Sequence, residues 1–133
     1  GATELLNYLT KAGVPWAIAT SGRLQSASLS LRLLGVNDDV PIITRDMVRH
    51  AKPDPDLFLA AAAKLGVAIS DSVVVGDSIW DLLAARRARA LGVGFLSGGY
   101  GREELERAGA YRVYNDPADL LKHIDEVGAR SAQ

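Results

Sequence analysis

Three short stretches of this 133-residue chain carry side chains able to handle a phosphoryl group: Thr20-Ser21-Gly22, Lys52-Pro53, and Gly76-Asp77-Ser78 followed by Asp81. A hydroxyl beside backbone amides, an ammonium and two carboxylates together meet the needs of phosphoryl transfer, which is catalysed mainly by positioning and charge neutralisation. Asp77 and Asp81 lie four apart at the start of a helical pattern, so both can face one side and hold a hard divalent cation, for which magnesium is the natural choice. Each group also has a plainer use. Asp77 or Ser78 can cap the helix while Asp81 answers its dipole, Thr20 and Ser21 can cap the helix after them, and Lys52 can be a solvated loop lysine. Cap and phosphate cradle are nearly the same object, however, because the free amides of a helix N-terminus bind phosphate. Pro53 and Pro55 stiffen the segment that carries Lys52.

These groups depend on the elements that end just before them. Leu5, Leu6, Leu9 and Ala12 recur at helical spacing before Gly13, and the apolar run over 14–19 predicts a strand covered on both faces. A helix over 24–34 up to Gly35 and a short strand over 40–44 follow. Asp54 as N-cap and Pro55 at the first helical position open a helix whose stripe of Leu57, Phe58, Ala61, Ala62 and Leu65 ends at Gly66. Val73-Val74-Val75 predicts a short buried strand running into Gly76, which allows the tight turn that brings the carboxylates over the sheet edge. A helix over 82–91 up to Gly92, a strand within 92–97, and helices over 102–108 and 116–127 flanking an edge strand over 111–114 complete the reading, with 129–133 a frayed tail. Strands separated by helical segments imply right-handed crossovers and a mostly parallel sheet with helices on both faces, a doubly wound α/β fold. Ligands in such sheets bind beyond the carboxyl ends of the strands, so the three polar stretches should converge on one edge.

Composition narrows the classes. Hydrophobic residues make up 48% and charged residues 23%, which reads as one globular domain over 1–133. Fifteen basic against sixteen acidic residues leave a formal charge of −1, against a nucleic-acid partner. The absence of cysteine excludes disulfides, thiolate metal sites and cysteine nucleophiles. No apolar stretch approaches the ~18 residues that cross a bilayer, and the first helical segment, with Glu4 and Lys11, is unlike a signal peptide, so no membrane role and a cytoplasmic location are expected. His50 and His123 read as surface or packing residues, Trp80 and Tyr100 as packing near the crevice mouth, and Arg86, Arg87 and Arg89 as a solvated helix face or an interface. Gly98-Gly99-Tyr100-Gly101 is a loop bordering the crevice. Gly92-Val93-Gly94 opens like a dinucleotide fingerprint, but Ser97 holds its sixth position and no strand-turn-helix follows.

Taken in order, Ala19-Thr20-Ser21-Gly22, Lys52-Pro53-Asp54-Pro55 and Val75-Gly76-Asp77-Ser78-Ile79-Trp80-Asp81 resemble the haloacid dehalogenase (HAD) superfamily, nearest its phosphoglycolate-phosphatase-like and β-phosphoglucomutase-like branch. The resemblance covers almost the whole chain and implies a three-layer Rossmann-like core. It assigns Thr20, with the amides of Ser21 and Gly22, to the phosphoryl group, and Lys52 to its oxygens and the nucleophile. Asp77 would bind Mg²⁺ directly, Asp81 would support the metal shell or orient Lys52, and Ser78 would contribute less. The superfamily's first motif, Asp-x-Asp-x-Thr on the central strand, occurs nowhere in the chain. The nucleophile and the general acid-base of an aspartyl-phosphate mechanism are therefore not in it. The resemblance thus implies the C-terminal part of a longer Mg²⁺-dependent phosphatase, inactive alone, that needs an N-terminal strand and a helical cap and acts on a small phosphorylated metabolite. A phosphomutase, a metal-independent 2-haloacid dehalogenase, a non-catalytic pseudoenzyme or assembly domain, and a receiver-type signalling domain are the other readings. Substrate and oligomeric state stay open, and the strands ending at Thr20 and Gly76 should not pair with each other.

Overall fold

The computed structural model describes residues 1–21 and 40–128; Gly22, the helix expected over 24–34 and the tail at 129–133 lie outside the described residues. The described chain alternates helix and strand as its periodicity requires. Helix α1 spans Ala2–Lys11, strand β1 Ile18–Ala19, strand β2 Ile42–Ile43, helix α2 Asp56–Leu65 and strand β3 Val73–Gly76. Helix α3 (Ile79–Ala88), strand β4 (Leu91–Phe95), helix α4 (Arg102–Arg107), strand β5 (Ala110–Tyr114) and helix α5 (Pro117–Lys122) follow, the last continued by a 3-10 turn at Ile124–Val127.

Among the described residues every strand pair is parallel, but the strands form two sheets rather than one: β1 with β2, and β3-β4-β5 with β4 in the middle. Strand β1 does not pair with β3, as expected. Between them runs an apolar groove of about 820 Å³ lined by Ile18 and Ala19 on one bank, Val73 and Val75 on the other, and Leu5 and Leu9 of α1 beneath. Protein interiors seldom tolerate a void much larger than a water molecule, so this groove stands apart from ordinary packing. It also explains two departures from the sequence reading. Val73 and Val75 are 37% and 41% exposed while Val74 is buried, because they face the groove instead of a covered interior. The apolar run at 14–19 yields only the two half-buried strand residues of β1, since among the described residues no strand lies along its other side.

The three-strand sheet carries helices on both faces. On one face Val93 and Phe95 of β4 pack with Leu5 of α1, Tyr114 and Leu120 of α5. On the other, Val74 packs with Phe58 of α2 and Ala84 and Ala85 of α3, and Leu82 packs with Leu105, Ala108 and Val113. The alternation Gly92-Val93-Gly94-Phe95 now has a packing reason. A Cβ on Gly92 would lie 3.0 Å from Leu82 Cδ2, and one on Gly94 3.2 Å from Leu105 Cδ1, so the two glycines let α3 and α4 close onto the sheet. Leu82 and Leu105 are thereby excluded from water, each worth ~1.5–3 kcal/mol of burial.

Helix boundaries follow local hydrogen bonds. Helix α2 takes Pro55, not Asp54, as N-cap, because the Asp54 amide closes a turn onto the Ala51 carbonyl (3.0 Å) while Phe58 and Leu59 donate to the Pro55 carbonyl. Helix α3 starts at Ile79 behind Ser78 and ends at Ala88; Arg89 turns left-handed (φ 65°) and Leu91 already belongs to β4, where the sequence reading extended the helix to 91. The histidines lie at the surface as expected, His50 against Asp56 (3.1 Å) and His123 against Asp119 (3.3 Å), with the His123 ring stacked on Tyr114. Among the described residues no helix is long and apolar enough to cross a membrane.

Tyr114 provides a titratable handle on this core. Burial, reinforced by the hydrogen bond it donates to Glu126 Oε1 (2.8 Å), pushes its phenol up to about 12. A folded-state value above the unfolded one means the contribution is complete below the unfolded value and is lost as pH rises through the folded value. Stability should therefore fall between about pH 10 and 12. Tyr114→Phe should flatten that fall in urea midpoints measured across the window, at a cost near neutrality of about 1 kcal/mol for the lost hydrogen bond.

Candidate functional site

Lys52, Ser78 and Asp81 meet where β3 gives way to α3, with Asp77 beside them in the chain. Ser78 caps α3: its Oγ accepts the Asp81 amide (3.3 Å) and donates to Asp81 Oδ2 (3.0 Å). Lys52 arrives from the loop before α2 and its Nζ donates to Asp81 Oδ1, both side chains being largely buried. Asp81 thus has one oxygen committed to an ammonium and the other to a hydroxyl, which satisfies a carboxylate buried to 8% exposure. The arrangement fixes Lys52 through Asp81 and presents its remaining N–H groups to whatever lies in front of it. The Lys52 ammonium also stands 5.7 Å from the Phe58 ring centroid, an aromatic support that the helix stripe alone did not reveal as part of the site.

Two glycines make this possible. A Cβ on Gly76 would lie 2.5 Å from Asp81 Oδ2 and 2.6 Å from Cγ, so Asp81 can tuck beneath the strand end only because residue 76 has no side chain. Gly98, at the end of the 3-10 turn Leu96–Gly98 beyond β4, lies directly against Asp77, with its absent Cβ 2.8 Å from Asp77 Cβ and Cγ and closer still to the Asp77 carbonyl. The glycine-rich loop therefore touches the site through its first residue. The available signal was its position one strand over, at the same carboxyl edge.

Asp77 itself is exposed and takes no part in the Lys52–Asp81 and Ser78–Asp81 hydrogen bonds. Among the described residues no group of three or more histidine, aspartate or glutamate side chains assembles as a metal site. Asp81 contacts Lys52, one of the two places the resemblance offered it, and Asp77 is an exposed carboxylate two residues after β3's last valine. Thr20 directly follows β1, on the side of the groove away from β3, half-buried, with its amide donating to the Ile43 carbonyl (2.9 Å), and Ser21 is exposed just beyond; Gly22 lies outside the described residues. Ala19, next to Thr20, packs against the cluster of Phe58 and Val74, and that shared cluster ties the Thr20 bank to the Lys52 side. Trp80 is about half exposed at the first turn of α3 rather than packed.

A family model described as haloacid dehalogenase-like hydrolase matches residues 1–89. Hexitol phosphatase A of Escherichia coli (strain K12) is 41% identical over 78 residues, 59% of this chain and 36% of that protein. A phosphoglycolate phosphatase of Rhodospirillum rubrum is 33% identical over 121 residues, 90% of this chain and 50% of that protein. The crystal structure of a hydrolase from Pseudomonas syringae superposes with a TM-score of 0.92 at 57% identity, covering 95% of this chain and 59% of that one. The chain spans about half the length of the curated relatives it matches, from 36% to 57%.

Proposed function

The chain belongs to the haloacid dehalogenase-like hydrolase family, and from that premise we propose that it is the part of a phosphatase that holds the phosphoryl group and the metal, completed by a strand seated between β1 and β3. The observation that carries the reading is the Lys52–Asp81–Ser78 set at the β3–α3 junction, an immobilised ammonium beside an accessible Asp77 at the carboxyl edge of a parallel sheet. The phosphatase names of the relatives support the reaction class. In this reading Lys52 neutralises the phosphoryl oxygens, and Thr20 with the Ser21 and Gly22 amides hydrogen-bonds them from the β1 side.

The donor set accommodates Mg²⁺ in part. Asp77 would supply a hard oxygen with Asp81 and Ser78 next to it, and among the described residues no third acidic or histidine side chain joins them. When bound, the ion would neutralise charge on the transferring group. The nucleophile is an aspartate of the inserted strand: its carboxylate oxygen bonds to phosphorus, the bond to the alcohol oxygen breaks, a second aspartate protonates that oxygen, and water later releases phosphate. The substrate is a small phosphorylated metabolite, the location cytoplasmic, and a helical cap completes the enzyme. A phosphomutase would use the same groups.

The test takes the complete protein and p-nitrophenyl phosphate. EDTA should remove turnover and Mg²⁺ restore it, and Asp77→Asn should abolish the restoration. Turnover indifferent to EDTA would favour a metal-independent dehalogenase, and Asp77→Asn with normal Mg²⁺ dependence would refute the role given to Asp77. If phosphate and Mg²⁺ raise the Tm of the complete protein without any turnover, the non-catalytic reading holds.

A further inference from the structure

The arginines at the far end of α3 are left without a role by the chemistry above; Arg86, Arg87 and Arg89 are exposed, as a solvated helix face requires, and Arg86 and Arg89 also border a cleft. Arg86 of α3, Arg89 just past its end, Arg107 of α4 and Ser70 line a cleft of about 570 Å³ at the end of the sheet where β4 begins, with Gly92 and Gly109 in its walls. The cleft lies at the opposite end of the ten-residue α3 from Ser78, about 15 Å along the axis. Among the described residues neither Arg86 nor Arg89 has a carboxylate within ion-pair reach, although Glu106 shares the cleft; Arg107 is held by Glu103 at 2.6 Å.

Two backbone features favour a built site. Arg89 occupies the left-handed position that closes α3 (φ 65°, ψ 33°), where glycine is the usual residue and a side chain costs conformational energy. Countering the helix dipole accounts for Arg86 and Arg87 in the last turn but not for an arginine forced into that conformation. Gly109, itself at φ 117°, gives the Arg86 stem its place: a Cβ there would meet Arg86 Cδ at 3.3 Å and Cβ at 3.7 Å.

We propose that this cleft is a second anion site, binding a small phosphate-class anion through the guanidinium forks of Arg86 and Arg89, with Arg107 and Ser70 at the rim. The site is independent of the phosphoryl chemistry proposed for the β3–α3 junction. The test is an NMR titration of the protein carrying this chain with inorganic phosphate at ionic strength held constant with sodium chloride. Gly92 and Gly109 amides report the cleft, and Asp77 and Ser78 amides report the other end of α3. Saturable shifts at Gly92 and Gly109 are expected, weakened about tenfold or more by Arg86→Ala and by Arg89→Gly. Arg89→Gly should at the same time hold or raise the Tm, since it relieves the left-handed strain, so weaker binding there cannot be assigned to unfolding. A parallel titration with ribose 5-phosphate separates the sources: tighter binding than inorganic phosphate assigns a phosphate ester, and equal binding assigns the free ion. Shifts at Gly109 that fail to saturate, or that survive both substitutions, overturn the site whatever happens at Asp77 and Ser78.

Discussion

Lys52→Ala in the complete protein is expected to lower kcat on p-nitrophenyl phosphate about a thousandfold, because one preorganised donor to a developing oxyanion is commonly worth 10²–10³. The same change strands Asp81, whose Oδ1 loses its ammonium inside a largely buried site, and an uncompensated buried charge costs about 3–5 kcal/mol. The Tm should therefore fall as well. These two effects can be separated. Adding Asp81→Asn to Lys52→Ala removes the stranded charge and should recover much of the Tm while leaving kcat depressed. A folded double variant with near-normal kcat would show that Lys52 is structural. Lys52→Arg should not rescue either, since a planar fork cannot replace a compact ammonium seated over Phe58 and against one carboxylate oxygen.

Gly98→Ala is the second large effect and tests a contact rather than a charge. The new Cβ would fall 2.8 Å from Asp77 Cβ and Cγ and closer to a backbone carbonyl, which cannot swing aside as a side-chain tip would. Asp77 must move, and a displacement of the order of 1 Å at a positioning group costs about 10²-fold in rate. The expected signature is a higher Mg²⁺ concentration at half-maximal activity, together with lower kcat. Gly101→Ala provides the control: its nearest neighbour would be Glu104 Oε1 at 3.5 Å, an ordinary contact, so Mg²⁺ dependence should not change. Equal behaviour of the two variants would remove Gly98 from the list of residues that place Asp77.

The parts of this fold visible in the residues were those with a local cause. The stripe Leu57-Phe58-Ala61-Ala62-Leu65 and its closing Gly66 became α2 because helical period and a left-handed stop are properties of short windows. The β3–α3 junction was legible for the same reason: Ser78 capping, Asp81 three residues on and a glycine before them form a compact signature. What failed depended on distant chain. Residues 14–19 and 73–75 look like strands covered on both faces, and only the groove explains why Val73 and Val75 are exposed. The spacing of Asp77 and Asp81 alone left open how the two divide their work; the family resemblance already offered Asp81 as the residue that orients Lys52, and the contact between them joins residues 29 apart in sequence. Gly98 carries no pattern of its own, and its value lies in what a side chain there would strike.

The groove between β1 and β3 has a consequence for how such a protein is made. Two parallel borders, each with its own ladder of amides and carbonyls and, on one side, uncovered valines, invite any extended peptide of suitable polarity. Until that position is taken, a second copy can offer its own border to the first, so self-association competes with correct closure. In the enzyme proposed above, a closing strand would zip against partners remote from each other in sequence, which raises contact order and slows the final step. Self-association should therefore grow with concentration for as long as the groove stays open.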